Sequence, residues 1–248
     1  LLPVRRVSFS VFFRRSPRAD EGVVRFWRDA SSNRRVDLVT SWRALVDLAP
    51  VEKGTAVFLF CAPALTFSPV GSGLVTDWQQ QNGLLLASGD VRFIRVWDAH
   101  KELCELDMPT FSDSSISCLT SENTHGNLII AGCGDGAVRM YDRRVAPREW
   151  CVLALLRQVG LSNVRVFSMV MAMMEHRSYV IGAFYHRSNV GELITGSVAG
   201  DVKIWDLRMP KSVRTIDAQA SKDHTTTALA VHSRAPIFAS GSKNGAIK

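Results

Sequence analysis

The sequence has no pair of cysteines at the close spacing of a metal site. Cys61, Cys104, Cys118, Cys133 and Cys151 are odd in number, and none forms a C-x-x-C pair. Zinc sites and thiol redox centres need closely set sulfur ligands, so both are disfavoured and no metal is expected. Cys118 and Cys133 lie in strand-like runs and read as small core residues. Reduced thiols fit a cytoplasmic protein. The six histidines, at 100, 125, 176, 186, 224 and 232, form no H-E-x-x-H pair. There is no G-x-x-x-x-G-K-[ST] phosphate loop and no G-x-S-x-G nucleophile elbow; Gly71-Ser72-Gly73 and Gly241-Ser242 are isolated turn pairs. No two carboxylates are set by a motif as an acid–base pair. The expectation is a protein that is not an enzyme, with no catalytic residues and no cofactor.

Long apolar runs are also scarce. Residues 54–76 carry no charge, yet Pro63, Pro69, Gly71 and Gly73 interrupt them, and the dense apolar part is only Ala56–Phe67. A membrane-spanning helix needs about 20 apolar residues in a row, so no integral membrane segment is expected. Arginines break every apolar stretch before Asp20, so no secretory signal peptide is expected there.

What is present is ordinary globular material, 46% hydrophobic and 21% charged, with a net charge of +7. The charge is unevenly spread. Residues 1–35 hold nine arginines and no lysine against Asp20, Glu21 and Asp29, so most of the excess sits at the N-terminus. Such an arm can bind nucleic acid. The simpler expectation is a solvated basic lead-in over 1–19, with no nucleic-acid partner.

The strongest signal is a recurring phrase: DEGVVRFWRD at Asp20–Asp29, GDVRFIRVWDAH at Gly89–His100, GDGAVRMYDRR at Gly134–Arg144 and AGDVKIWDLR at Ala199–Arg208. A fifth copy starts at Ser242 and stops in mid-strand. Each copy is a turn of small residues, an alternating strand, then an aromatic, usually followed by Asp. This is the punctuation of a WD-repeat β-propeller. Trp97 and Tyr141 are 44 residues apart, within the 40–45 typical of one four-stranded blade. Trp27 to Trp97 spans 70 and Tyr141 to Trp205 spans 64. Excesses well below one blade indicate insertions rather than missing blades. The expected fold is therefore all-β: an incomplete propeller of about four to five blades over residues 20–248, with irregular insertions near 57–72 and 152–190. The second insertion takes in the methionine-rich run Val166–Met174. Starting at Leu1 without a Met, the chain is expected to be part of a longer protein.

These phrases assign structural roles. Trp27, Trp97, Tyr141 and Trp205 are blade-core aromatics, and Asp98, Asp142 and Asp206 follow three of them. Asp90, Asp135 and Asp201 read as turn aspartates that accept hydrogen bonds within a blade, often from a histidine and a backbone amide. His224, just before the strand-like Thr225–Ser233, is a candidate partner. Gly132–Ala137 matches the relaxed dinucleotide pattern G-x-G-x-x-A. That pattern binds pyrophosphate only when a helix opens after it. The following VRMYD alternates as a strand, so a tight turn is expected instead.

Several stretches between the aromatics are more specific: LVTSWRAL at Leu38–Leu45, VTDWQQQNGLLLASGDVRFIRVWD at Val75–Asp98, AGCGDGAVRMYDRR at Ala131–Arg144, GDVKIWDLRMPKSVRTIDA at Gly200–Ala218 and TALAVHSRAPIFASGS at Thr227–Ser242. A generic blade does not require them. They resemble the Raptor family, the regulatory-associated proteins of the target of rapamycin kinase, over roughly residues 20–56, 73–150 and 191–248. The resemblance implies a C-terminal propeller of a large non-catalytic scaffold. It implies a subunit that binds the kinase and other complex subunits and helps present protein substrates in nutrient-regulated growth signalling. It further implies a cytoplasmic protein recruited through partners to lysosomal or vacuolar surfaces. A second scaffold reading comes from WDLR at Trp205–Arg208 and YDRR at Tyr141–Arg144. Both resemble the W-D-x-R box of propellers that serve as substrate receptors for cullin-RING ubiquitin ligases, which makes Arg143 and Arg208 candidate partner-binding residues.

Overall fold

A computed structural model describes residues 23–30, 35–45, 73–79, 81–110, 112–122, 125–144, 169–186, 191–218, 225–232, 235 and 237–248. The described elements are all strands: β1 (Val23–Ala30), β2 (Arg35–Arg43), β3 (Leu74–Gln79), β4 (Leu84–Gly89), β5 (Phe93–Asp98), β6 (Leu103–Pro109), β7 (Ile116–Ser121), β8 (Leu128–Cys133), β9 (Val138–Asp142), β10 (Met169–Met173), β11 (Val180–Tyr185), β12 (Glu192–Ser197), β13 (Asp201–Asp206), β14 (Ser212–Asp217), β15 (Thr226–Val231) and β16 (Phe238–Ser242). They pair in chain order into three antiparallel four-stranded sheets, β3–β6, β7–β10 and β11–β14, and two two-stranded sheets, β1–β2 and β15–β16. The chain's last residues begin a third strand beside β16, bridging Gly241 to Ile247. Each sheet is one blade, and the first strands β3, β7, β11 and β15 pack against one another in succession.

Side-chain alternation explains why the blades stack. A strand presents successive residues to opposite faces, and a blade inside a ring has a neighbour on each face. In β4, Leu85 and Ala87 join Val24, Ala44 and Leu45 of the preceding blade. Leu84 and Leu86 face the other way, against Ile116, Ile129 and Tyr141. In β8, Ile129 packs back onto that group while Ile130 packs forward with Val180, Leu193 and Trp205. In β12, Leu193 faces back and Ile194 forward, with Leu229 and Phe238. Second strands are buried on both faces, so they read as nearly continuous apolar runs.

The structure redraws the second expected insertion. Residues 152–190 contain β10, the fourth strand of the second blade, and β11, the first strand of the third. The extra length instead separates β9 from β10, within residues 143–168, of which 145–168 lie outside the described residues. The run Val166–Met174 misled because a fourth strand is only half covered and carries a weak alternation; Met169, Val170 and Ala172 are exposed while Met173 is buried. The first expected insertion, 57–72, lies outside the described residues, as does the 1–19 lead-in.

Residues 132–137 form the β8–β9 turn, closed by the Cys133 amide donating to the Ala137 carbonyl at 2.9 Å. A strand, not a helix, follows, so no dinucleotide cradle exists there. Gly136 is required at this turn: its φ is +82°, and a Cβ would sit 2.7 Å from the His176 carbonyl oxygen of the next blade.

Candidate functional site

The aromatics of the repeat occupy one register. Trp97 pairs with Leu85, Tyr141 with Ile129 and Trp205 with Leu193, each on the third strand opposite the second. Each faces the preceding blade: Trp97 joins Leu85 and stacks on Trp42 of β2 at 4.3 Å, Tyr141 joins the core shared with β3–β6, and Trp205 joins that shared with β7–β10. Trp27 sits at a bulge of β1 opposite Leu38; its side chain is outside the described residues.

Their polar ends differ. Trp205 Nε1 donates to Thr195 Oγ1 at 2.7 Å. The other side of that hydroxyl meets His176 Nε2 at 2.6 Å, and His176 Nδ1 meets Asp201 Oδ2 at 2.6 Å. Ser197 Oγ donates to the other carboxylate oxygen, Oδ1. A neutral imidazole satisfies every group: Nδ1–H donates to Asp201, Nε2 accepts from Thr195, and Thr195 accepts from Trp205. Burial raises the Asp201 pKa, but hydrogen bonds from His176 and Ser197 outweigh it and bring it to about 2.

Hydroxyl, imidazole and carboxylate stand here in the order of a nucleophilic triad. Thr195 and Trp205 are 0% exposed, Asp201 3% and His176 8%. The hydroxyl already accepts the indole N–H, and no substrate atom can reach it. The network braces a blade: His176 comes from the link between the second and third blades and pins the start of β13 to β12.

His176 is the partner of Asp201; His224, the candidate offered by the sequence, lies outside the described residues. Asp90, Asp135 and Asp201, grouped together by sequence, also separate. Asp201 is the first residue of β13 and belongs to the brace. Asp135 sits in the β8–β9 turn, accepting the Ala137 amide at 3.0 Å and both ends of the Arg139 guanidinium at 3.2 and 2.6 Å. Asp90 follows β4 and accepts the Gly73 amide at 3.3 Å. The register explains why the brace is not repeated in the preceding blades. Ala87 and Ala131 stand where Thr195 does, opposite Arg95 and Arg139 as Thr195 is opposite Lys203. Among the described residues Trp97 Nε1 accordingly has no acceptor, and the Tyr141 hydroxyl donates instead to the Thr110 carbonyl at 2.9 Å.

The aspartates after the aromatics cap the turns to the fourth strands. Asp98 accepts the amides of His100 and Lys101, Asp142 that of Arg144, and Asp206 that of Arg208. Their pKa values fall, through the Lys101 ammonium at Asp98, the Arg144 guanidinium at Asp142, and the Arg208 amide at Asp206. The candidate partner-binding arginines are not equivalent. Arg208 is exposed and bonds its own Asp206 at 3.1 Å. Its counterpart in the second blade is Arg144, which bonds Asp142; Arg143 lies against the preceding blade, paired with Glu105 at 3.2 Å.

One recurring position escaped the sequence reading. Two residues before each aromatic stands a buried base, 7% exposed in all three complete blades: Arg95, Arg139 and Lys203. Arg95 forks onto Asp107 at 2.7 and 2.8 Å and reaches the Ala44 carbonyl at 3.0 Å. Arg139 forks onto Asp135, and Lys203 donates to Thr215 at 3.0 Å with Glu175 at 3.5 Å. The signal was [R/K]-x-[W/Y] in every copy. A charge in an alternating strand looks solvent-facing, and only the neighbouring blade buries it. Cys118 and Cys133 take the expected places on β7 and β8, where burial pushes their thiols up to about 12 and about 11. Among the described residues no group of His, Cys, Asp or Glu could hold a metal ion, and no helix is long and apolar enough to cross a membrane.

Successive four-stranded antiparallel blades, braced internally and presenting turns and edges outward, define a β-propeller. A family model described as "Nucleolar protein 10-like, N-terminal domain", a β-propeller model, matches residues 103–245, and the chain belongs to that β-propeller family. Its curated relatives include the target of rapamycin complex 1 subunit mip1 of Schizosaccharomyces pombe, 36% identical over 93% of this chain and 14% of that protein. The corresponding subunit KOG1 of Saccharomyces cerevisiae is 31% identical over 91% of this chain and 13% of its own. A crystal structure of Chaetomium thermophilum Raptor superposes with a TM-score of 0.66 at 31% identity, covering 90% of this chain and 17% of that one. The chain therefore spans a small fraction of these relatives. The Raptor resemblance extends along most of the chain, but the C-terminal placement it implied is corrected by the matching family model, which describes an N-terminal domain.

Proposed function

We propose that this propeller belongs to a non-catalytic scaffold subunit of a target of rapamycin complex, which binds the kinase and helps present protein substrates in nutrient-regulated growth signalling. The observation that carries the reading is 36% identity over 93% of the chain to a protein named as a subunit of that complex. This chain also carries phrases, such as the DWQQQ of Asp77–Gln81, that a generic blade does not need. The architecture suits the role, since a propeller offers rigid turns and edges to partners while its polar networks are closed on themselves. Cytoplasmic residence, with recruitment through partners to lysosomal or vacuolar surfaces, belongs to the same proposal.

The test is affinity purification of the tagged chain within its full-length protein from its own cells. Co-purification of the target of rapamycin kinase is expected. A ubiquitin-ligase adaptor in place of the kinase would overturn the reading.

A further inference from the structure

The fourth strands form the outer edges of the blades, and among the described ones β10 differs in composition. β2 carries Arg35, Asp37 and Arg43, β6 carries Glu105 and Asp107, and β14 carries Arg214 and Asp217. Charged side chains on an exposed edge oppose pairing with another strand. β10 is Met-Val-Met-Ala-Met: no charge, no proline, no glycine. It pairs with β9 on one side and, among the described residues, is the terminal strand of its sheet on the other. Met169 is 38% exposed, Val170 47% and the adjoining Met174 71%. Two ionic groups beside it are engaged within the fold: Arg139, opposite Ala172, with Asp135, and Glu175 with Ser212 and Lys203.

We infer that β10 is a docking edge for an extended, uncharged apolar segment of another protein, which adds to the second blade as a fifth strand. Backbone hydrogen bonds to the open edge supply affinity, and alternate side chains set selectivity. Charge decides the kind of occupant. From Met169 to Met174 the edge offers no counter-ion, so a charged segment would lose hydration with nothing in return, whereas an apolar strand meets thioethers that adapt to its shape. The inference stands on the chemistry of this edge, whichever assembly the propeller joins.

The experiment is amide hydrogen exchange on the full chain with an acetylated, amidated Thr-Val-Thr-Met-Thr-Val-Thr peptide, against a control with lysine replacing its valines. The expected result is at least tenfold slower exchange within Met169–Met173 with the uncharged peptide only, no change at β6 or β14, and loss of the effect in Ala172→Lys. Melting of that variant is checked separately, and Val170→Thr, which adds no charge, should retain the protection. Four results would overturn the inference: no protection; equal protection at β6 and β14; protection already complete without peptide, showing that this chain covers the edge; or protection that grows with protein concentration alone, assigning the edge to a second copy.

Discussion

His176 and Asp201 lie 25 positions apart on either side of β11 and β12, and their side chains meet at 2.6 Å in a site almost closed to water. The contact ties the link between two blades to the third strand of the next. Removing the imidazole leaves Asp201 a buried carboxylate with one donor fewer and Thr195 without its acceptor. His176→Ala should cost about 2–3 kcal/mol, the penalty for stranding buried polar groups, read from denaturant midpoints. His232→Ala, at an exposed turn, should stay within about 0.5 kcal/mol. Equal effects would show that the brace adds nothing.

The same carboxylate sets an acid limit. Its folded pKa of about 2 lies below the ordinary 3.8. A depressed pKa contributes stability that is fully present above the unfolded value and lost as pH falls through the folded one. The loss should fall between about pH 4 and pH 2. Asp201→Asn should be less stable at neutral pH and show a shallower decline across that window. The lowered aspartates at 98, 135, 142 and 206 keep the remaining slope. An acid limb of unchanged steepness would refute the assignment.

Trp205 and Trp97 share a register but not a hydrogen bond. Trp205→Ala should cost about 3–5 kcal/mol through the cavity it leaves. Replacement by Phe separates packing from hydrogen bonding. Trp205→Phe leaves Thr195 without its donor and should cost about 1 kcal/mol more than Trp97→Phe, whose indole N–H has no acceptor to lose. Thermal melting of the two variants provides the comparison, and equal losses would contradict the geometry.

Arg139 is buried and forked onto Asp135. Asp135 itself is partly open to water, so solvent screens the charge left on Arg139. Asp135→Asn should therefore cost about 1 kcal/mol, and the double variant Asp135→Asn with Arg139→Met should recover part of it. A double-mutant cycle measures the coupling; strictly additive losses would mean that the two side chains do not act as a pair.

At Gly136, both the positive φ and the His176 carbonyl oppose a side chain. Gly136→Ala should lower stability by about 1–3 kcal/mol. An unchanged melting temperature would place this turn elsewhere.

The sequence by itself determined the class of fold. Small-residue turns, alternating strands and aromatics at a fixed period are local features, each dictated by backbone sterics or by the need to bury one side chain per blade. Trp97, Tyr141 and Trp205 could therefore be read as equivalent, and Cys133 as buried, before any contact was known. Tertiary structure decided what depends on the neighbouring blade. It showed that Arg95, Arg139 and Lys203 are interior, that His176 partners Asp201, that Arg143 faces Glu105, and that β10 and β11 are regular strands. The physical reason is the stacking of the blades. A side chain's surroundings there are supplied by residues one blade away, and nothing in its own strand records what will lie across the gap.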